Sequence, residues 1–312
     1  MFKSTRNLAI AGLVLLTAAG NALAERVQPF ILGSSGPGDL AGTVASTKSK
    51  LSGAGFEVVG TYAPYSGAEI IIFTSDDLKA AARKSERGGY GAAMRVSVTE
   101  NAGNVEVAYT NPKYWANAYR MNDQLDGVSA KLKTALGAEK QFSSGDKELT
   151  PEKMRKYHYT VMMEYFDDPS ELNEYNDHAD GVKTVEANLA AGKGATTMIY
   201  KISVGKDSEG EEMTLFGVGL KGKNEEDCSS DPYIMGKIDK DTPRSTAHLP
   251  YEILVYGDIA EALYGRFRIA LSWPHLPMMA SETGATFMSI MCAPESIKDA
   301  LTTAAGGSSD DF

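Results

Sequence analysis

Short apolar runs alternate with polar, glycine-punctuated breaks along this chain, and their periods predict a mixture of strands and helices. Residues 56–62, FEVVGTY, alternate apolar and polar side chains as a half-buried strand does. Residues 70–73 are an unbroken apolar run of strand length. Ser75-Asp76-Asp77 then starts a helix, because Ser and Asp oxygens accept the free amides of a first turn. Gly88-Gly89-Tyr90-Gly91 turns the chain, and residues 94–99 and 105–109 predict a hairpin. Asn111-Pro112 opens a helix on which Trp115, Ala118 and Tyr119 share one face at i, i+3 and i+4. Residues 43–52 and 128–136 read as further helices, each stopped by glycine. Residues 25–41, rich in Gly, Ser and Pro, read as a loosely held extended lead.

In the second half, residues 157–166, YHYTVMMEYF, look strand-like. Asp168-Pro169-Ser170-Glu171 has capping-box spacing and predicts a helix that carries His178 and runs to Ala190. Residues 196–204 and 213–220 read as a strand pair, and 221–247 as the longest irregular stretch. Residues 249–277, LPYEILVYGDIAEALYGRFRIALSWPHLP, read as a buried strand, a short helix, a Tyr-Gly turn and a second strand.

That last stretch reads as a repeat of residues 68–99. Glu69-Ile70-Ile71-Ile72-Phe73 aligns with Glu252-Ile253-Leu254-Val255-Tyr256, and Tyr90-Gly91 with Arg95 aligns with Tyr264-Gly265 and Arg268. Pro112, Trp115, Ala118 and Tyr119 align with Pro294, Ile297, Ala300 and Leu301. The expected fold class is α+β: two related domains, each a mostly antiparallel sheet packed with helices, forming a pseudo-dimer. The expected boundaries are 25–139 and 157–304, with a linker at 140–156 and a disordered tail at 305–312. The enlarged loop at 274–285 occurs in the second copy alone, which marks it as a place to look for function.

LSGAGFEVVG, the capped helix, and GAAMRVSVTENAGNVEVAYTNP with its closing helix resemble the domain-of-unknown-function 302 family. The resemblance covers residues 43–137 best, and the second copy is more divergent. It implies a compact α+β domain with a mostly antiparallel sheet and a tendency to dimerise. It implies no activity and hands over no catalytic residue.

Residues 1–24 carry Lys3 and Arg6, an apolar run at 8–19 and an Ala22-Leu23-Ala24 cleavage site, the marks of an export signal cut between Ala24 and Glu25. The expected address is periplasmic or secreted. Signal removal takes the formal charge from −10 to −12, because two basic residues leave and no acidic one does. Such an acidic chain argues against nucleic acid, where Lys and Arg on phosphates supply the affinity. No later apolar run approaches a membrane span. The chain has two cysteines, Cys228 and Cys292, and an exported chain with two cysteines is expected to pair them.

Four histidines, His158, His178, His248 and His275, show no metal-ligand spacing, and no C-x-x-C, P-loop or G-x-S-x-G motif is present. One constellation carries a mechanism: His275, Met278 and Met279 in the enlarged loop, with Met288, Met291 and Cys292 on the strand expected to follow. Thioether, thiolate and imidazole suit Cu(I), so a copper site is one expectation; strand methionines as core filler are the plainer one. Arg95 and Arg268 are candidate clamps for an anionic ligand between the copies. The plainer alternative is a structural ion pair with Glu69 or Glu252. The expected function is an exported non-enzymatic binding or accessory protein, monomer or homodimer, for a small molecule or another exported protein. The alternatives are an enzyme with its site in the inter-domain seam, and a soft-metal binding protein.

Overall fold

A computed structural model describes residues 25–147, 149–224 and 226–308. The expected signal peptide lies outside the described residues. The first half contains β1 (Phe30–Gly36), α1 (Leu40–Gly53), β2 (Glu57–Tyr62), β3 (Ala68–Thr74) and α2 (Asp76–Ala82). It continues with β4 (Met94–Asn101), β5 (Asn104–Thr110), α3 (Pro112–Ala118) and α4 (Asp126–Leu136). The connection contains β6 (Lys140–Phe142) and α5 (Pro151–Met154). The second half contains β7 (Ser170–Glu174), α6 (His178–Ala190), β8 (Thr196–Lys206), β9 (Glu212–Leu220) and α7 (Asp231–Ile238). β10 (Tyr251–Tyr256), β11 (Ile259–Ala262), α8 (Gly265–Ser272) and α9 (Ala293–Ala305) complete it.

The fold is α+β. The first sheet runs β2-β3-β4-β5-β1-β6 and the second β8-β9-β10-β11-β7, with every neighbouring pair antiparallel. Apart from the added β6, the two sheets have the same order. The element sequence β-α-β-β-α-β-β-α-α also occurs twice. One hydrophobic core runs through both halves, so the seam between them is packed side chain.

The expected pairing of the copies is shifted by one strand. Topology makes β10 the counterpart of β4, and β9 the counterpart of β3. Glu69–Phe73 and Glu252–Tyr256 resemble each other because both are interior strands buried on two faces, which reduces their sequences to apolar runs. Likewise α3 answers to α8, and α9 to α4.

Several local expectations also change. Residues 265–272 form helix α8 instead of a strand, and 259–262 form strand β11 instead of a helix. Seven of the eight α8 residues are buried, so no polar face displays the helical period. Ser170 begins a strand, and the helix after it is capped by Asp177, whose side chain accepts from the Asp180 amide. Residues 157–166 form turns, and Met288 lies in the short 3-10 helix Phe287–Ile290, not on a strand. The lead supplies β1, which pairs with β5 and β6, so part of the expected linker completes the first sheet. The expected tail begins inside α9, which is capped at Gly306; residues 309–312 of that tail lie outside the described residues.

Candidate functional site

Two strand registers locate the centre of the molecule. Ser97 lies opposite Ala108 in the first sheet, and Leu254 opposite Glu261 in the second. Ala108 and Glu261 each stand three residues before a helix cap, Asn111 and Tyr264. Ser97 and Leu254 are therefore equivalent, and so are Arg95 and Glu252 two residues earlier. By the same count Trp115 and Arg268, each four residues past its cap, are equivalent.

Both equivalent pairs touch. The Arg95 guanidinium forms an ion pair with Glu252, and the Arg268 guanidinium lies 4.9 Å above the Trp115 ring. Equivalent residues in mutual contact mark the pseudo-two-fold axis, as in any isologous interface. Arg268 Nε is 3.6 Å from the second Glu252 oxygen, and the Tyr200 hydroxyl donates to the first at 3.1 Å. Arg95 and Arg268 are each 2% exposed. Burial and the neighbouring Arg268 charge lower the Arg95 pKa to about 10. The two arginines proposed to clamp a ligand thus share one buried glutamate, which is the structural ion pair named as the alternative.

His248 completes this centre. Its Nδ1 sits 2.7 Å from Ser272 Oγ and 3.2 Å from Arg268 Nη1, and its Nε2 3.1 Å from the Tyr251 hydroxyl. Burial, then the charges of Arg268 and Arg95, push the imidazole well below its ordinary pKa. A neutral ring beside the Arg268 donor accepts at Nδ1, so Nε2 carries the hydrogen. A Ser-His contact suggests nucleophilic chemistry, but both residues have no exposed surface, and the second ring nitrogen meets a tyrosine instead of a carboxylate. A crevice of about 270 Å³ does open where the halves meet the connection. Its arginines are already engaged: Arg87 with Glu86 and Glu261, Arg120 with both oxygens of Asp167 at 2.6 Å.

The expected metal set separates. Cys292 is joined to Cys228 in a disulfide with 5.8 Å between the Cα atoms, so it offers no thiolate and leaves the set. His275 Nδ1 meets the Ser143 carbonyl and Nε2 meets Asp241 Oδ2, both at 2.9 Å. The Asp241 carboxylate, more than any other group, raises the imidazole pKa. Both ring nitrogens are thus engaged by partners within the chain. Among the described residues no cluster of His, Cys, Asp and Glu forms a metal site.

Met278 and Met279 stay exposed, and they have company. Among the described residues, the exposed large apolar side chains gather on two segments: Val161, Met162 and Tyr165 on one, Met278, Met279, Met288 and Met291 on the other, with Met198 apart. Met162 is 94% exposed, Met279 75% and Met291 68%, values opposite to those of core filler. The segments touch: the Tyr159 and Phe287 rings lie 4.5 Å apart, and the Tyr159 hydroxyl donates to the Leu276 carbonyl at 2.6 Å. Backbone bonds from Phe287 N to Pro277 O and from Met288 N to Met278 O, both 3.0 Å, hold the second segment together. Residues 157–168 and 276–292 contain Glu164, Asp167, Asp168 and Glu282 but no Lys or Arg. In space Arg266 pairs with Glu164, Arg120 pairs with Asp167, and Lys147 Nζ lies 4.9 Å over the Tyr159 ring, so this methionine-rich face is bordered by charges of both signs.

Sequence reasoning found Met278, Met279, Met288 and Met291 but missed Val161 and Met162, because VMM inside an aromatic run reads as strand core. No family model matches the chain, no curated protein matches it, and no solved structure does.

Proposed function

We propose that this is an exported, non-enzymatic binding protein that engages its partner through the methionine-rich face. The observation that carries this reading is the gathering of exposed apolar side chains on two touching segments. Monomeric proteins scatter such residues singly, and a contiguous patch rimmed by polar groups marks an interaction site. Flexible thioether side chains suit a surface that adapts to an apolar partner. Export is supported by the Cys228–Cys292 bond and by the signal-like sequence of residues 1–24. No helix among the described residues is long and apolar enough to cross a membrane. A binding role in preference to an enzymatic one is supported by the seam, which is filled by the Arg95–Glu252–Arg268 centre where a catalytic cleft was one expectation. We further infer that the halves descend from one duplicated unit, which the repeated strand order supports, and the resemblance of residues 43–137 supports a unit of the domain-of-unknown-function 302 type.

A photo-crosslinking residue placed at Met279 in the native host tests the proposal, with the same residue at Lys133 on α4 as control. A discrete crosslinked partner is expected from Met279 alone. The same pattern from both positions, or none from Met279, overturns the reading.

A further inference from the structure

The methionine face carries a second kind of information, in the placement of its sulfurs. Met288 N donates to Met278 O at 3.0 Å, which sets these two residues side by side on adjacent backbone segments. Met291 follows Met288 by three residues, across the 3-10 turn Phe287–Ile290, and its amide donates to Met288 O at 3.4 Å. In a 3-10 turn, side chains three apart eclipse. Met278, Met288 and Met291 thus start from neighbouring points on one exposed surface. Each has three rotatable bonds with which to bring its sulfur to a common centre.

The chemistry of the donor set is selective. Thioethers are soft, neutral ligands that suit Cu(I) and disfavour hard cations. The harder or anionic donors nearby are withdrawn, since Cys292 is in a disulfide and His275 is held between Ser143 and Asp241. Ordinary core packing does not account for these residues, because all three are exposed, Met278 least at 37%.

We propose that Met278, Met288 and Met291 form a thioether site for a soft monovalent cation, Cu(I) or Ag(I), with Met279 at its edge. The inference rests on the reading of this face as a binding surface. It differs from the His-Met-Cys site expected from the sequence in using sulfur from methionine alone.

The test uses disulfide-intact protein with carbon-13 methionine methyl labels. Ag(I) serves as a redox-inert probe, followed by Cu(I) in competition with a chromophoric chelator under reducing, oxygen-free conditions that leave the disulfide intact. One equivalent of Ag(I) is expected to shift the methyl signals of Met278, Met288 and Met291, leaving Met162 and Met198 in place. Met278→Leu and Met288→Leu, which keep size and apolarity, are expected to weaken Cu(I) at least tenfold. Zn(II) is expected to leave the methyl spectrum unchanged. Equal shifts at Met162 and Met198, binding unaltered in both leucine variants, or an equal response to Zn(II) would each overturn the site. Thermal melts of the leucine variants are expected to match the parent, because these side chains lie at the surface. The crosslink from Met279 should survive both leucine substitutions, so loss of the metal site and loss of the partner are read separately.

Discussion

Arg95 and Glu252 hold the same position in their respective halves and pair with each other across the pseudo-two-fold axis. An exact repeat would place two like charges there, or two neutral groups. Opposite charges at equivalent positions let the halves meet through a buried ion pair. Arg268 then adds a second positive charge to the same glutamate.

Removing that glutamate leaves two buried guanidinium groups without an anion. Glu252→Gln is expected to lower unfolding stability by about 3–5 kcal/mol, the usual effect of breaking a buried pair from one side. Arg95→Met combined with Glu252→Gln should lose less than Glu252→Gln alone. Urea denaturation of the parent, Glu252→Gln, Arg95→Met and the double variant checks this, and simple additivity of the single changes would count against a shared centre.

Asp231 gives a pH signature. It is fully buried, accepts from the Tyr62 hydroxyl at 2.7 Å and the Leu220 amide at 2.9 Å, and leaves Oδ1 without a hydrogen bond. Burial raises its pKa from 3.8 to about 7. A folded-state pKa above the unfolded value gives stability that is full below pH 4 and is lost as pH rises through about 7. His275, with a raised pKa, works in the same direction, and His248, with a lowered one, in the opposite direction. The clean measurement is therefore a difference: Asp231→Asn should flatten the fall in urea midpoint between pH 5 and 8. Identical slopes in variant and parent would refute the assignment.

Tyr62 links the halves through this same carboxylate. Tyr62→Phe should cost about 1–3 kcal/mol, as expected for a lost hydrogen bond to a buried acid. Isothermal denaturation at pH 7 reads it directly.

Gly60 brings the β2 backbone against β8. A Cβ there would stand 2.6 Å from the Ile199 carbonyl oxygen, which is backbone and cannot rotate away. Gly60→Val should destabilise by about 1–3 kcal/mol through overpacking. A thermal midpoint equal to that of the parent would show that the two edges can separate.

Much of the architecture was legible because one-sided burial writes a period into sequence. α2 carries Ser75 at its cap and Trp115, Ala118 and Tyr119 are buried together as expected, whereas β2 keeps every residue exposed or half-buried and shows no alternation. Where burial is complete the period vanishes, and α8 and β11 were exchanged for that reason. The repeat was visible but misaligned, since apolar runs such as those in β3 and β10 record burial and not position in the sheet. Glu252 was one of two acids named for the arginines, and choosing between them required the register. At the methionine face, composition supplied four of the residues. That they face solvent depends on the turn at Phe287–Ile290 and the Tyr159–Phe287 contact, which lie far apart in sequence.

The Cys228–Cys292 bond closes 64 residues of chain, and it ties the segment after β9 to the residue just before α9. Cys292 directly follows Met291, so the cross-link pins one end of the exposed sulfur surface. A freshly made chain in a thiol-rich compartment lacks that pin. Reduction of the bond would leave Met291 beside a free end, with no covalent tether to the segment after β9.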